Sequence, residues 1–234
     1  MNFDFDLFTI INQYTPLNNL CDTCLYLSSF KKYSYYKFNR HFSIMYYNNQ
    51  LFNNIIINKI FNPSKQLHIN LSMCKNITDV SILSNVHTLN LSYCDRITDV
   101  SRLNNIHTLI LYGCKNITDV SGLTNVHTLD LSFCNKITNV SALANIHTLD
   151  LSFCDKITDV SALTNVHTLN LCMCITIYDI SGLKNVHTLN LSYCDKITDV
   201  SALTNVNSLN LSYCNKINNI DSLKNVKNLI YLMN

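Results

Sequence analysis

The chain has 234 residues and a formal net charge of +2, with 17 basic side chains set against 15 acidic ones, all of them Asp. Glu and Trp are absent, Gly and Ala are scarce, and Asn, Ile and Tyr abound. So few good helix formers argue against a helical repeat. The balanced, interspersed charge argues against a nucleic-acid partner, and no apolar run approaches the ~18 residues of a membrane span.

Residues 1–47 form the first segment. Leu7, Ile10, Ile11 and Tyr14 have helical spacing, and Pro16 interrupts it. Leu17, Leu20, Cys21, Cys24, Leu25, Leu27 and Phe30 then make a second apolar face. The first 30 residues hold no Lys or Arg, so a signal peptide is not expected. An aromatic stretch follows, with Tyr33, Tyr35, Tyr36, Phe38, Phe42, Tyr46 and Tyr47, and two or three short helices are the expectation. Cys21 and Cys24 make a lone Cys-x-x-Cys, read as two buried helix positions rather than half of a zinc site. Residues 48–66, Asn-rich with Leu51, Phe52, Ile55, Ile56, Ile57, Ile60 and Phe61, read as a transition, and Pro63 marks its end.

From residue 67 to 234 a 20-residue unit returns without a slip of phase. Ile77, Ile97, Ile117, Ile137, Ile157, Ile177, Ile197 and Ile217 hold one register, and Leu83, Leu103 and their equivalents to Leu223 hold another. A fixed period in the twenties is the signature of a solenoid, each repeat being one unit that buries its apolar side only against a neighbour. In each copy Leu89 and Leu91 alternate as in a short strand, while Ile97, Val100 and Leu103 recur at the spacing of a tight helical turn. Nine strands are expected, from Leu67–Leu71 to Asn228–Leu232. The last one leaves a sheet edge open, for which weak self-association through residues 209–232 is expected.

Repeated polar residues are read as ladders. Cys74, Cys94, Cys114, Cys134, Cys154, Cys174, Cys194 and Cys214 should form a buried thiol column, which implies a reducing compartment. His87, His107, His127, His147, His167 and His187 should form a column beside the strands, about 4.8 Å apart. No carboxylate is placed to orient them around a metal, so no metal or cofactor is expected. Asn85 and its equivalents to Asn225 are read as left-handed corners of the coil. Asp79, Asp99, Asp119, Asp159, Asp179 and Asp199 are read as caps for the turn that follows. Every candidate nucleophile or base is repeated in step, which excludes the unique cluster that catalysis needs.

The pattern Val86-x-x-Leu89-x-Leu91-x-x-Cys94 resembles the leucine-rich-repeat core, with Cys where many members carry Asn. Leu-Ser-Tyr-Cys-Asp-Lys-Ile-Thr-Asp-Val at 191–200 is similar to the Cys-containing repeats of F-box leucine-rich-repeat proteins, and Ile-Thr-Asp-Val-Ser-Ala-Leu-Thr-Asn-Val at 197–206 to internalin repeats. The Asn- and Ile-rich composition resembles that of leucine-rich-repeat proteins of giant amoebal viruses, which would place the chain in a host cytoplasm. The resemblance implies an α/β solenoid, a horseshoe with a parallel sheet on its concave face and short helical returns. Residues 11–33 further resemble a degenerate F-box, with Tyr14, Pro16, Leu17, Leu20, Phe30, Lys31 and Tyr33 in matching places and Tyr33 where Trp is usual. That implies docking on a Skp1-type adaptor through Leu7, Ile11, Tyr14, Pro16, Leu17 and Leu20, and a cullin-based ubiquitin ligase as the setting. The alternative is a helical cap and a scaffolding array with no ubiquitin link.

On the strand face, Thr88, Asn90, Ser92 and Tyr93 repeat monotonously, and breaks in this monotony mark the expected partner surface. They are Ile110 and Tyr112, then Asp130 with Phe133, Asp150 with Phe153, and Met173, joined by Tyr93, Tyr193 and Tyr213 into an aromatic stripe. Aromatics flanked by acids suit a basic or amphipathic protein segment.

Overall fold

The structure is a computed structural model that describes residues 35–37, 40–50 and 66–233. The docking positions Leu7, Ile11, Tyr14, Pro16, Leu17 and Leu20, the Cys21–Cys24 pair and most of the transition lie outside the described residues. The chain divides into two units, residues 1–71 with 86–89, and residues 72–85 with 90–234.

In the first unit, β1 (Tyr35–Lys37) is followed by α1 (Arg40–Asn48), and β1 pairs in parallel with β2 (Gln66–Asn70), Tyr35 opposite Gln66. A strand here departs from the all-helical expectation. Two successive Tyr residues favour a strand over a helix. From α1, Ser43 accepts the Asn70 N–H at 3.1 Å and Tyr46 is buried, while Leu67 and Ile69 point inward. The His87 N–H, just ahead of β3 (Thr88–Asn90), donates to the Leu67 carbonyl at 2.9 Å.

The second unit is the array. Strands β4 (Thr108–Ile110), β5 (Thr128–Asp130), β6 (Thr148–Asp150), β7 (Thr168–Asn170), β8 (Thr188–Asn190), β9 (Ser208–Asn210) and β10 (Asn228–Ile230) pair in parallel, in chain order and without register shift, each residue lying opposite its equivalent 20 positions on. Regular strand lasts only three residues; from β4 to β9 only the central Leu of each strand and the next Leu face inward, and in β10 Leu229 is exposed. The ladder continues beyond it, the N–H of Leu111 reaching the Asp130 carbonyl at 2.8 Å and that of Leu151 the Asn170 carbonyl at 2.9 Å.

In most copies the helical return is a single 3-10 turn, as at Ser101–Leu103 and Ser141–Leu143, and at 121–123 and 161–163 it is an ordinary turn. Three-residue spacing of Ile97, Val100 and Leu103 fits this tighter helix, which eclipses i and i+3. The core consists of these Ile, Val and Leu positions with the two strand leucines and the Cys, buried coil after coil. Among the described residues no helix is long and apolar enough to cross a membrane.

Candidate functional site

The strand ends in a turn that decides where the aromatic side chains go. The Cys94 N–H donates to the Leu91 carbonyl at 3.0 Å, closing a four-residue turn whose third residue, Tyr93, has φ +59°. That sign of φ suits Gly or Asn, yet Met73, Tyr93, Phe133, Phe153, Met173, Tyr193 and Tyr213 all adopt it. The Asn85 series is absent from the left-handed residues, so the expectation placed the strained corner at the wrong side chain. The Asn residues stand exposed before the strand instead.

The left-handed turn sets the side chains side by side along one edge of the sheet. Phe133 and Phe153 stack with centroids 4.1 Å apart, as do Tyr193 and Tyr213 at 4.5 Å. The copy at 110 differs in three coordinated places. Tyr112 replaces the preceding Ser and meets Tyr93 edge-on at 5.0 Å and Phe133 at 5.2 Å, while Gly113 takes the left-handed position. A Cβ on Gly113 would lie 2.9 Å from two carbons of the Tyr93 ring, so Gly is the residue that leaves room for it.

The outer face of the sheet carries a Thr column and, two residues on, an Asn/Asp column. In most copies the side chain at the second place caps its own turn: Asn90 accepts the Ser92 N–H at 2.9 Å, and Asn190 and Asn210 do the same for Ser192 and Ser212. Asp130 and Asp150 accept the N–H groups of Ser132 and Ser152 with one carboxylate oxygen each. They also stand directly opposite each other in the ladder. The far oxygen of Asp150 accepts from the Asn170 amide at 2.9 Å. Partial burial, followed by the neighbouring Asp150 charge, raises the Asp130 carboxyl above its ordinary value, although its bonds to Ser132 pull the other way. Ile110 lies opposite Asp130 on the other side. The structure therefore brings Ile110, Asp130 and Asp150 together on the outer face, with Tyr112, Phe133 and Phe153 along the adjoining edge. Met173 separates that group from the Tyr193–Tyr213 pair.

The other ladders are structural. Cys114, Cys134, Cys154, Cys174, Cys194 and Cys214 are buried, and each thiol donates to the carbonyl 23 residues back, as Cys154 to Leu131 at 3.2 Å. Burial pushes the Cys114, Cys154 and Cys194 thiols up to about 12. On the opposite edge from the aromatics, His107, His127, His147, His167 and His187 stack at 4.5–4.7 Å. Desolvation, then the imidazoles of His127 and His167, lowers the His147 pKa. The Asp side chains cap as expected, but from one place earlier than an N-cap: Asp99 accepts the Ser101 N–H at 2.9 Å, with Val100 as the N-cap residue. Among the described residues no group of three or more His, Cys, Asp or Glu could hold a metal ion.

Family models agree with this geometry. One described as leucine-rich repeats in two copies matches residues 104–145 and 124–165, and a leucine-rich-repeat model matches 83–101 and 182–204. The chain therefore contains leucine-rich repeats, and these repeats carry a Cys. Among solved structures, internalin InlF from Listeria monocytogenes is 30% identical with a TM-score of 0.54, over 73% of this chain and 54% of that one. Internalin C2 from the same organism is 29% identical with a TM-score of 0.54, over 70% and 80%. The leucine-rich-repeat domain of the type III effector XopL shares the fold at 15% identity and a TM-score of 0.51, over 93% and 97%. The chain thus spans about half the length of the first internalin. No match was found among curated proteins. Leucine-rich-repeat domains are in general non-catalytic modules for protein–protein interaction.

Proposed function

We propose that the outer face of the sheet binds a basic segment of a protein partner at Asp130 and Asp150, with Ile110, Tyr112, Phe133 and Phe153 supplying apolar contact. The observation that carries this reading is the paired carboxylates. Asn90, Asn170, Asn190 and Asn210 make the same turn cap without charge, so the cap does not require Asp. Like charges directly opposite in a sheet are destabilising, and a Lys or Arg from a partner relieves the repulsion while its stem lies along the phenyl edges. Tyr93, Met173, Tyr193 and Tyr213 extend the apolar edge.

The test is a titration of the full chain with a labelled, extended Lys/Arg-rich peptide. The doubly substituted chain Asp130→Asn, Asp150→Asn is expected to bind it about tenfold more weakly. Equal affinity for both chains would overturn the assignment.

The finer reading makes the array the target-binding half of a ubiquitin-ligase adaptor, with residues 1–47 docking on a Skp1-type protein. It is supported by the F-box resemblance of Tyr14, Pro16, Leu17 and Leu20 ahead of Cys-containing repeats. Purified Skp1-type adaptor should be retained by the full chain and lost on Leu17→Asp, Leu20→Asp. No retention by the unsubstituted chain would leave a scaffolding module without a ubiquitin link. The buried free thiols suit a reducing cytoplasm. The exposed apolar residues Leu229 and Ile230 of β10 suit weak self-association through that edge, which a concentration-independent monomer in sedimentation would exclude.

A further inference from the structure

One coil changes its outward residues while its inward places stay aliphatic or Cys. In Leu171-Cys-Met-Cys174-Ile-Thr-Ile177-Tyr-Asp-Ile180, the residues Leu171, Cys174, Ile177 and Ile180 are buried like their equivalents. The solvent positions, however, hold Ile175 where other copies have Asp, Asn or Lys, Thr176 where most have Lys or Arg, and Tyr178 where most have Thr. Tyr178 is 67% exposed and Ile175 47% exposed. They stand three residues apart on a loop held by the Thr176 hydroxyl, which donates to the Ile157 carbonyl of the preceding coil. Neither side chain contributes to the core, so the fold gives no reason for them.

Acidic groups outnumber basic ones around this pair, Asp155, Asp159, Asp179, Asp195 and Asp199 against Lys156 and Lys196. Asp179 follows Tyr178 directly, and Asp159 and Asp199 hold the same place one coil to either side, all three exposed. Each accepts the N–H of the Ser two residues on, and these bonds hold the three carboxyls below their ordinary value. The basic column of Lys156 and Lys196 is interrupted by Thr176.

We infer that Ile175 and Tyr178 form a second docking surface, separate from the outer face of the sheet, for an amphipathic basic segment of another protein. Such a segment seats apolar side chains on the Ile–Tyr pair and sets Lys or Arg against Asp159, Asp179 and Asp199. Tyr is a common interface anchor, and an exposed apolar group rimmed by charge is the usual form of such a site.

The test is fluorescence anisotropy of the full chain with a labelled amphipathic Leu/Lys peptide. Two variants use residues that the array itself places at these positions: Ile175→Asp with Tyr178→Thr, as in Asp155 and Thr158, and Asp159→Asn with Asp199→Asn, as in Asn139 and Asn219. The apolar variant is expected to weaken binding at least about tenfold and the charge variant about threefold, while a Leu/Glu peptide does not bind. Both variants are also made in the chain carrying Asp130→Asn and Asp150→Asn, where they should weaken binding by the same factors, which separates failure here from failure at the sheet face. No binding by the unsubstituted chain, or equal binding by both variants, would overturn the inference. So would concentration-dependent self-association abolished by Ile175→Asp with Tyr178→Thr, since the occupant would then be a second copy.

Discussion

Left-handed backbone at Tyr93, Phe133 and their equivalents costs roughly 1–2 kcal/mol per residue relative to Gly, and the array carries that strain coil after coil. Stacking along the edge offsets part of it, since aromatic pairs contribute about 0.5–1.5 kcal/mol beyond their burial. Gly113 therefore marks the place where space, not φ, decides. Gly113→Ala should drive the Tyr93 ring off Tyr112 and lower stability by about 1 kcal/mol in urea denaturation; an unchanged midpoint would show that the ring yields freely. The thiols make a second residue-scale case. Buried, hydrogen-bonded and raised by that burial above the ordinary thiol value, Cys114 through Cys214 in the column should resist alkylation in the native chain, whereas half-buried Cys172 reacts. Rapid labelling of Cys154 without unfolding would contradict the column's closure. The column was legible from the 20-residue spacing of the cysteines. The left-handed turn was not, because its residue type points away from positive φ and only Gly113 hinted at it.

Each return turn depends on its Asp through a hydrogen bond more than through charge. Asn139 serves Ser141 at 2.9 Å just as Asp159 serves Ser161 at 2.8 Å. Asp159→Ala should lower the melting temperature, and Asp159→Asn should leave it nearly unchanged. An equal loss from both would make the charge decisive. His147, in the middle of the imidazole stack, adds a pH dependence of its own. With the folded pKa of His147 below the unfolded value of about 6.5, the unfolded chain takes up protons first, so stability is full above that pH and falls as pH drops through the window beneath it. Thermal melts at about pH 7.5 and about pH 5.5 should show the acid sample melting lower, with the gap narrowed by His147→Asn, as in the coil that carries Asn207. Equal melting would remove the stack from the ledger of stability. The aspartate caps titrate in a lower window, below their ordinary value, and do not confuse this comparison. Strand, return and inward positions could be read from the alternation of Leu89 and Leu91 and the three-residue spacing after Ile97. The strand at Tyr35–Lys37 escaped because three residues carry no period.

At the scale of the molecule, near-identical coils make every departure conspicuous. The core positions vary only among Ile, Leu, Val and Cys, because each must fill a space bounded by the coil on either side. Outward positions are free of that constraint, and the departures at Ile110, Asp130, Asp150, Ile175 and Tyr178 lie there. The sheet-face group was readable as a break in pattern, and the structure added that the two carboxylates face each other across the ladder. Ile175 and Tyr178 were passed over because they lie on the loop beyond the strand, where only solvent exposure separates an anchor from a core residue.

Asp130 and Asp150 sit where Asn90, Asn170, Asn190 and Asn210 stand in other coils, and on the proposed binding role the array keeps this charge for a partner at the expense of its own stability. The most direct check is urea denaturation of the full chain and of Asp130→Asn at neutral pH. Because the folded carboxyl titrates above its unfolded value, ionising it favours unfolding. Removing the charge should therefore stabilise the array, by about 0.5–1 kcal/mol on the scale of a cross-strand pair. A less stable Asp130→Asn chain would show the carboxylates to be part of the fold's own bonding, and would contradict their role as a binding site.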